Sequence, residues 1–207
     1  YLAEGCATAH QIHIANNDVN YREKAAVWPT SMGIRSHVTA PKDRPKNGGI
    51  SISIMFHSTV LARLMVTLCN HGSWVKKVPS FAFSAPRDFV EGLLDAYFSG
   101  DGSVAKNGAM SCTSRSKILT EGISLLLKNY GIRSTIMTWN VNEKPVWALY
   151  ISIAGGQTFM QHIQLTTTGK AKRLEDASVK KKTRTAEILN DVFLDEVVSV
   201  EEVPSSH

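Results

Sequence analysis

The sequence predicts an α+β protein: two pseudo-symmetric αββαββα halves, their antiparallel sheets forming a saddle, with one helix from each half at the interface. Three observations predict it. First, an apolar run, Gly92-Leu93-Leu94-Asp95-Ala96-Tyr97-Phe98-Ser99, ends in Gly100-Asp101-Gly102, and the chain opens on a shorter version, Tyr1-Leu2-Ala3-Glu4-Gly5. Second, landmarks recur in order. Glu4 and Asp101 lie 97 residues apart, Gly33-Ile34-Arg35-Ser36 returns as Gly131-Ile132-Arg133-Ser134 at an offset of 98, and Ser51-Ile52-Ser53-Ile54 returns as Tyr150-Ile151-Ser152-Ile153 at an offset of 99. Third, short alternating segments flank helical ones in both halves. A period this long describes a duplicated domain rather than a solenoid.

The elements follow in parallel. In the first half, Ile12 and Ile14 alternate with Gln11 and His13, a helix runs from about Tyr21 to Met32, strands cover His37–Ala40 and Ile50–Phe56, and a helix closes the half over Thr59–Cys69. In the second, a helix spans Asp88–Gly100, and Met110 and Cys112 alternate with Ser111 and Thr113. Lys117–Tyr130 is helical, with Ile118, Ile123, Leu126 and Leu127 on one stripe; strands cover Ser134–Asn140 and Val146–Ile153, and a helix covers Gln157–Gln164. Gly33 and Gly131 stand where helices stop, because glycine adopts the left-handed conformation that ends them. Ile50, Ile52 and Ile54 share one face of their strand and Ser51, Ser53 and Met55 the other, so helices cover one side of each sheet and a polar side stays open. The expected organisation is a first half over 1–73, a linker over 74–87, a second half over 88–168 and a basic tail over 169–207.

The chain has 207 residues, enough for a substantial core. Its 23 Lys and Arg against 18 Asp and Glu give a net charge of +5, a bias compatible with nucleic acid. Two segments concentrate it: Pro41-Lys42-Asp43-Arg44-Pro45-Lys46 between strands, and Lys170–Arg184. Either is a solvated charge run or a phosphate grip. Cys6, Cys69 and Cys112 are unclustered, which argues against a disulfide scaffold or cysteine zinc site and for an intracellular location, nuclear or cytoplasmic. No apolar run reaches membrane-spanning length.

Two carboxylates brought together at the tips of packed helices suit divalent metal ions, and ions held that way hydrolyse phosphodiesters. The blocks that carry this pattern resemble the LAGLIDADG homing endonucleases of the single-chain, two-repeat kind, and more narrowly the endonuclease domain of an intein. Leu94–Gly102 resembles the second family motif and Tyr1–Gly5 the end of the first. Lys76-Lys77-Val78-Pro79 resembles the block between the repeats, and Leu127–Ser134 the block after the second motif. Asp195–Val203 resembles the entry to an intein's C-terminal splicing block, without the catalytic termini that splicing needs.

The resemblance implies a site-specific endonuclease that makes a double-strand break with short 3′ overhangs at a long, near-asymmetric duplex site. Glu4 and Asp101 then hold Mg²⁺ or Mn²⁺, and Lys76 stabilises charge at the scissile phosphate, with Lys77 the neighbour most easily confused with it. Asp95, inside the helix, reads as structural. Small residues at Gly92, Ala96 and Gly100 let the motif helices approach closely. The first motif helix is cut to its last turn, so its remainder comes from preceding residues or another chain. Base contacts fall to the open faces: Gln11, His13, Ser51 and Ser53 in the first half, and Ser111, Thr113, Arg133, Thr135, Tyr150 and Ser152 in the second, with Lys42, Arg44 and Lys46 on phosphates. Arg35 and Arg133 are repeat equivalents. The competing readings are a non-cutting DNA-binding module or RNA maturase of the same fold, or a purely structural piece of a splicing precursor.

Overall fold

The structure is a computed structural model that describes residues 1–39, 42–44, 49–178, 188–189 and 192–193. The first half contains β1 (Gly5–Ala7), β2 (Gln11–Ala15), α1 (Val19–Ser31), β3 (Ser36–Val38), β4 (Lys42–Arg44), β5 (Gly49–Ser51), β6 (Ser53–His57) and α2 (Thr59–Cys69). A 3-10 turn at Ser80–Ser84 leads into α3 (Arg87–Gly100), β7 (Gly102–Val104), β8 (Met110–Ser114), α4 (Lys117–Lys128), β9 (Ser134–Val141), β10 (Lys144–Ile151), α5 (Ile153–His162) and α6 (Thr168–Ser178). A short antiparallel pair, β11 (Ile188–Leu189) and β12 (Val192–Phe193), follows.

The two four-stranded antiparallel sheets have the same order, β1-β2-β6-β3 and β7-β8-β10-β9, so the duplication read from the sequence is topological. Local chemistry repeats with it. Asp18 and Ser116 cap the equivalent helices α1 and α4 by accepting from the amides of Tyr21 at 3.0 Å and Leu119 at 3.3 Å. Ser58 and Ser152 cap α2 and α5 in the same way. Gly33 and Gly131 take φ of 71° and 67°, and the next amides, of Ile34 and Ile132, reach back five residues to Pro29 and Leu127, the Schellman closure expected after a glycine stop.

The sheets cover separate cores. In the second half, Leu94, Phe98, Ile123, Leu126, Leu127, Ile132, Leu149, Ile151 and Phe159 are fully enclosed between α3, α4, α5 and the sheet. The first-half core is smaller, built on Ile12, Ile14, Tyr21, Ile54, Phe56, Leu61 and Ala62. Strand alternation supplies these residues: Met110 and Cys112 point in while Ser111 and Thr113 point out, as the period of two requires.

Three expectations need correction. The Ile50–Phe56 strand is divided at Ile52, whose N–H donates to Asn17 Oδ1 at 3.0 Å. Gly49–Ser51 pairs with β4 in a separate two-stranded ribbon, so Ser51 does not lie on the four-stranded sheet. The apparent match of Ser51–Ile54 to Tyr150–Ile153 is four residues out of register. Val38 pairs Ile54 where Ile136 pairs Leu149, so the true offset on this strand is 95. An error of four preserves the side-chain face, which is why the alternation still read correctly. Strand β10 stops at Ile151, and α5 begins at Ile153 rather than at Gln157. Ser152 is therefore a helix cap and not a sheet-face residue. Of the glycines on α3, Gly100 is in tight contact, and a Cβ on Gly92 would meet nothing within 4 Å. Gly92 and Ala96 line an apolar groove with Tyr1, Leu2, Met65 and Leu68.

Candidate active site

Helix α3 carries the second acid to its place. Val90, Leu94, Tyr97 and Phe98 are buried along one stripe, which fixes the helix on the second core. The helix ends at Asp101, whose N–H donates to Tyr97 O at 2.9 Å, and β7 leaves at once from Gly102. That reversal requires glycine, since a Cβ at Gly102 would lie 2.4 Å from Phe98 O. Residues Tyr1–Gly5 make the same turn. Gly5 N–H donates to Tyr1 O at 3.0 Å, β1 leaves from Gly5, and a Cβ there would lie 2.4 Å from Tyr1 Cα. Glu4 and Asp101 thus occupy equivalent helix-to-strand corners.

The corners meet. A Cβ added to Gly100 would lie 2.7 Å from Ala3 Cβ and 3.0 Å from both Glu4 Cγ and the Tyr21 hydroxyl. The stem of Glu4 therefore rests on the residue that precedes Asp101. Tyr21, from α1, locks the contact by donating to Ala96 O at 2.9 Å. We expect Gly100→Ala to force the corners apart and cost about 1–3 kcal/mol. Gly92→Ala, in open space on the same helix, should gain up to about 1 kcal/mol from helix propensity. Thermal unfolding of the two variants checks both signs.

Each corner is held by a lysine ammonium group. Lys76, 8% exposed, donates from Nζ to the carbonyls of Tyr1 (3.0 Å), Leu2 (3.2 Å) and Gly5 (2.7 Å). Lys170, on α6, donates to Phe98 (3.2 Å), Ser99 (2.7 Å) and Gly100 (2.7 Å). The lysines are equivalents, each satisfying the orphan carbonyls at the end of its own motif segment. Burial lowers the pKa of both. The acids oppose this, Asp101 most strongly at Lys76 and Glu4 most strongly at Lys170. Asp101 reaches solvent at the helix end, yet the atoms crowded around it push its carboxyl above the usual carboxylate range, while Lys76 and Lys170 pull it down. The result is a compact set of two carboxylates and two ammonium groups. Glu4, Lys170, Asn16, Asn17 and Thr167 line an open, polar cleft of about 300 Å³ beside it.

Lys170 went unrecognised in the sequence, where it was one cation in a basic run. Its signal was spacing: it follows Asp101 by 69 residues, as Lys76 follows Glu4 by 72. Lys76, expected at the scissile phosphate, uses its donors on three backbone carbonyls in this structure. Asp95 is structural, as expected, and forms a node between the halves. It is buried and accepts from Ser99 Oγ (2.8 Å), Thr166 N (2.7 Å), Thr166 Oγ1 (2.6 Å) and Lys24 Nζ (2.7 Å). This node anchors the chain entering α6 and so sets the reach of Lys170.

The other expected contact residues divide. Gln11, His13 and Ser53 share the open face of the first sheet, and Ser111, Thr113, Thr135 and Tyr150 that of the second. Arg133 is exposed just before β9. Lys42 and Arg44 lie on β4, Lys46 lies outside the described residues, and so do the cations after Lys172 and Arg173 in the basic run and the Asp195–Val203 segment. Among the described residues no group of three or more His, Cys, Asp or Glu is placed to hold a metal ion. Among the same residues no helix is long and apolar enough to cross a membrane.

Residues 88–173, from α3 into α6, match the model of the LAGLIDADG-like domain. The chain carries a LAGLIDADG-like domain. The half that precedes it has the same sheet order, and the whole fold is found in solved LAGLIDADG structures. A structure of I-DmoI in complex with DNA and Ca superposes with a TM-score of 0.58 over 80% of this chain and 82% of that one, at 14% identity. One of I-DmoI with DNA and Mn gives 0.55 over 74% and 80%, also at 14% identity. Full-length DUF199/WhiA from Thermatoga maritima gives 0.57 over 88% of this chain and 58% of that one, at 13% identity. Sequence relatives are of another kind. DNA-directed RNA polymerase subunit Rpo1C of Methanocaldococcus jannaschii is 33% identical over 180 residues, 84% of this chain and 20% of that protein. The probable translation initiation factor IF-2 of Thermococcus kodakarensis is 30% identical over 84% of this chain and 15% of its own length. A DNA polymerase of Thermococcus sp. strain GE8 is 28% identical over 64% and 8%. The chain therefore spans a fifth or less of the length of these relatives.

Proposed function

We propose that this chain is a site-specific, divalent-metal-dependent DNA endonuclease and the homing endonuclease domain of an intein. The observation that supports the chemistry is the packing of the two acid corners at Gly100, where the stem of Glu4 rests on the residue before Asp101. The observation that supports the intein is the set of relatives. An RNA polymerase subunit, an initiation factor and DNA polymerases share one segment that makes up a fifth or less of each, as an insertion carried by unrelated hosts would.

The donor set fits Mg²⁺ or Mn²⁺. Two carboxylates are hard oxygen ligands, and such ions keep several coordination positions for water and phosphate. When bound, the ion lowers the pKa of an attacking water and neutralises charge on the leaving oxygen. The chain's own residues do the rest. Glu4 and Asp101 hold negative charge at a dyad-like seam, one acid for each strand. Lys76 and Lys170 fix the two corners and keep positive charge beside the acids, where an incoming phosphate gains electrostatic stabilisation. We assign both lysines as positioning residues rather than as direct phosphate ligands. The open faces of the two sheets lie against the major groove of a long duplex inside the cell, and one polypeptide supplies both acids. The product is a double-strand break with short 3′ overhangs.

The test is a cleavage assay on a plasmid carrying the uninterrupted insertion site of the host gene. Linear product that requires Mg²⁺ or Mn²⁺ supports the endonuclease. Tight duplex binding without cutting, under every divalent ion, supports the alternative binding module, and preference for folded RNA over the duplex supports a maturase.

A further inference from the structure

The two open faces differ chemically, and the difference points to how the second half reads sequence. In the first sheet the register aligns Cys6, His13, Met55 and His37 in one row; the equivalent row of the second sheet is Ser103, Ser111, Tyr150 and Thr135. One row further out, Thr39 beside Ser53 in the first half is replaced by Met137 beside Ala148. Beyond it Trp139 lies opposite Val146, and Val141 opposite Lys144. Met137, Trp139, Val141 and Tyr150 are 48%, 46%, 39% and 39% exposed, so the outer ribbon of the second half presents an apolar strip to solvent where a polar face was expected.

The strip is bordered by cations. Arg115 donates to the carbonyls of Val141 and Lys144 at the end of the ribbon and stacks on Trp74, 5.0 Å from its centroid; Lys144 lies over the same ring at 5.3 Å. The ribbon hairpin turns at Asn142 and Glu143, with φ of 50° and 62°, the two-residue turn that keeps β9 and β10 paired over their full length. An apolar strip that ends in two cations, on a two-stranded ribbon, has the chemistry of a major-groove reader whose contacts are methyl groups.

We propose that Met137, Trp139 and Val141 read thymine 5-methyl groups, so that the half-site under the second repeat is specified by thymine methyls and the other half-site by hydrogen bonds. This rests on the reading of the chain as a duplex-binding protein. From Met137 to Val141 the strand rises about 13 Å, the length of about four base-pair steps, so the methyl-dependent positions fall within one short block.

The test uses the whole chain and a pool of random-sequence duplexes. The enriched duplex is rebuilt with deoxyuridine for thymine, one half at a time; this removes only the methyl group. We expect each replacement in the methyl-dependent block to weaken binding about four-fold, with little change from the other half. Met137→Ser, Trp139→Ser and Val141→Ser together, all exposed positions on a strand, should bind thymine and deoxyuridine duplexes alike while still unfolding cooperatively. Equal binding of the thymine and deoxyuridine forms by the unaltered protein overturns the inference and leaves duplex binding intact. So does a methyl effect that persists in the folded triple variant, because another surface then reads it. Enrichment of no duplex overturns the duplex-binding reading itself, and capture of a protein segment by the strip instead makes it a protein interface.

Discussion

Asp101→Asn should reduce double-strand cleavage about 10³-fold or more while leaving duplex affinity within a few-fold of normal. The substitution keeps the shape of the α3 corner and its N–H bond to Tyr97 O, and removes one charge from the seam. The loss expected from deleting a single preorganised electrostatic group at a reacting centre is about 10²–10³-fold, and here the group is also half of the proposed metal donor set. Glu4→Gln should have the same effect, because the acids sit on equivalent corners that pack together at Gly100. Each single variant retains one acid, so nicked rather than linear plasmid is the expected residual product. Gel separation of nicked, linear and supercoiled forms reads this directly. Full-rate linearisation by either variant would remove that acid from the mechanism.

Asp95→Ala should be the most destabilising change outside the apolar core, costing about 2–4 kcal/mol. Asp95 is 3% exposed and accepts from four donors. Its removal leaves the Thr166 and Ser99 donors without their principal acceptor in a buried setting. The ion pair itself contributes little. The Lys24 side chain is 61% exposed, so Lys24→Met should cost under about 1 kcal/mol. The contrast separates buried hydrogen bonding from surface charge. In a chain of this size the Asp95 variant should melt roughly 10 °C lower. Because the node anchors the entry to α6, it should also displace Lys170 and slow cleavage at temperatures where the protein is still folded.

Much of this was legible in the sequence because it is local. Glycine after an acid marks a corner that no other residue can turn, and Gly33 and Gly131 mark helix stops whose hydrogen bonds prove identical. Alternation placed Met110 and Cys112 inward and Ser111 and Thr113 outward. What escaped depends on pairings distant along the chain. Nothing near Ser51 reveals that β6 begins two residues later in another register, since a four-residue slip preserves the face. Ser152 reads equally well as the end of a strand or as a helix cap until the strand's partner is known. Lys170 and the Thr166 contacts to Asp95 exist only once α6 folds back on α3. The apolar strip, by contrast, was open to inspection: Thr135, Met137, Trp139 and Val141 share one parity, and only Thr135 was taken from the row.

The central claim is that Glu4 and Asp101 form one metal site at the seam of the two repeats. Crystals of the protein with its selected duplex, grown with Mn²⁺ and measured at the manganese edge, test it most directly. The account predicts anomalous density at the Gly100 contact, shared by the two carboxylates and lost in Asp101→Asn. Manganese bound elsewhere on the protein, with the two acids engaged only by protein groups, would contradict it.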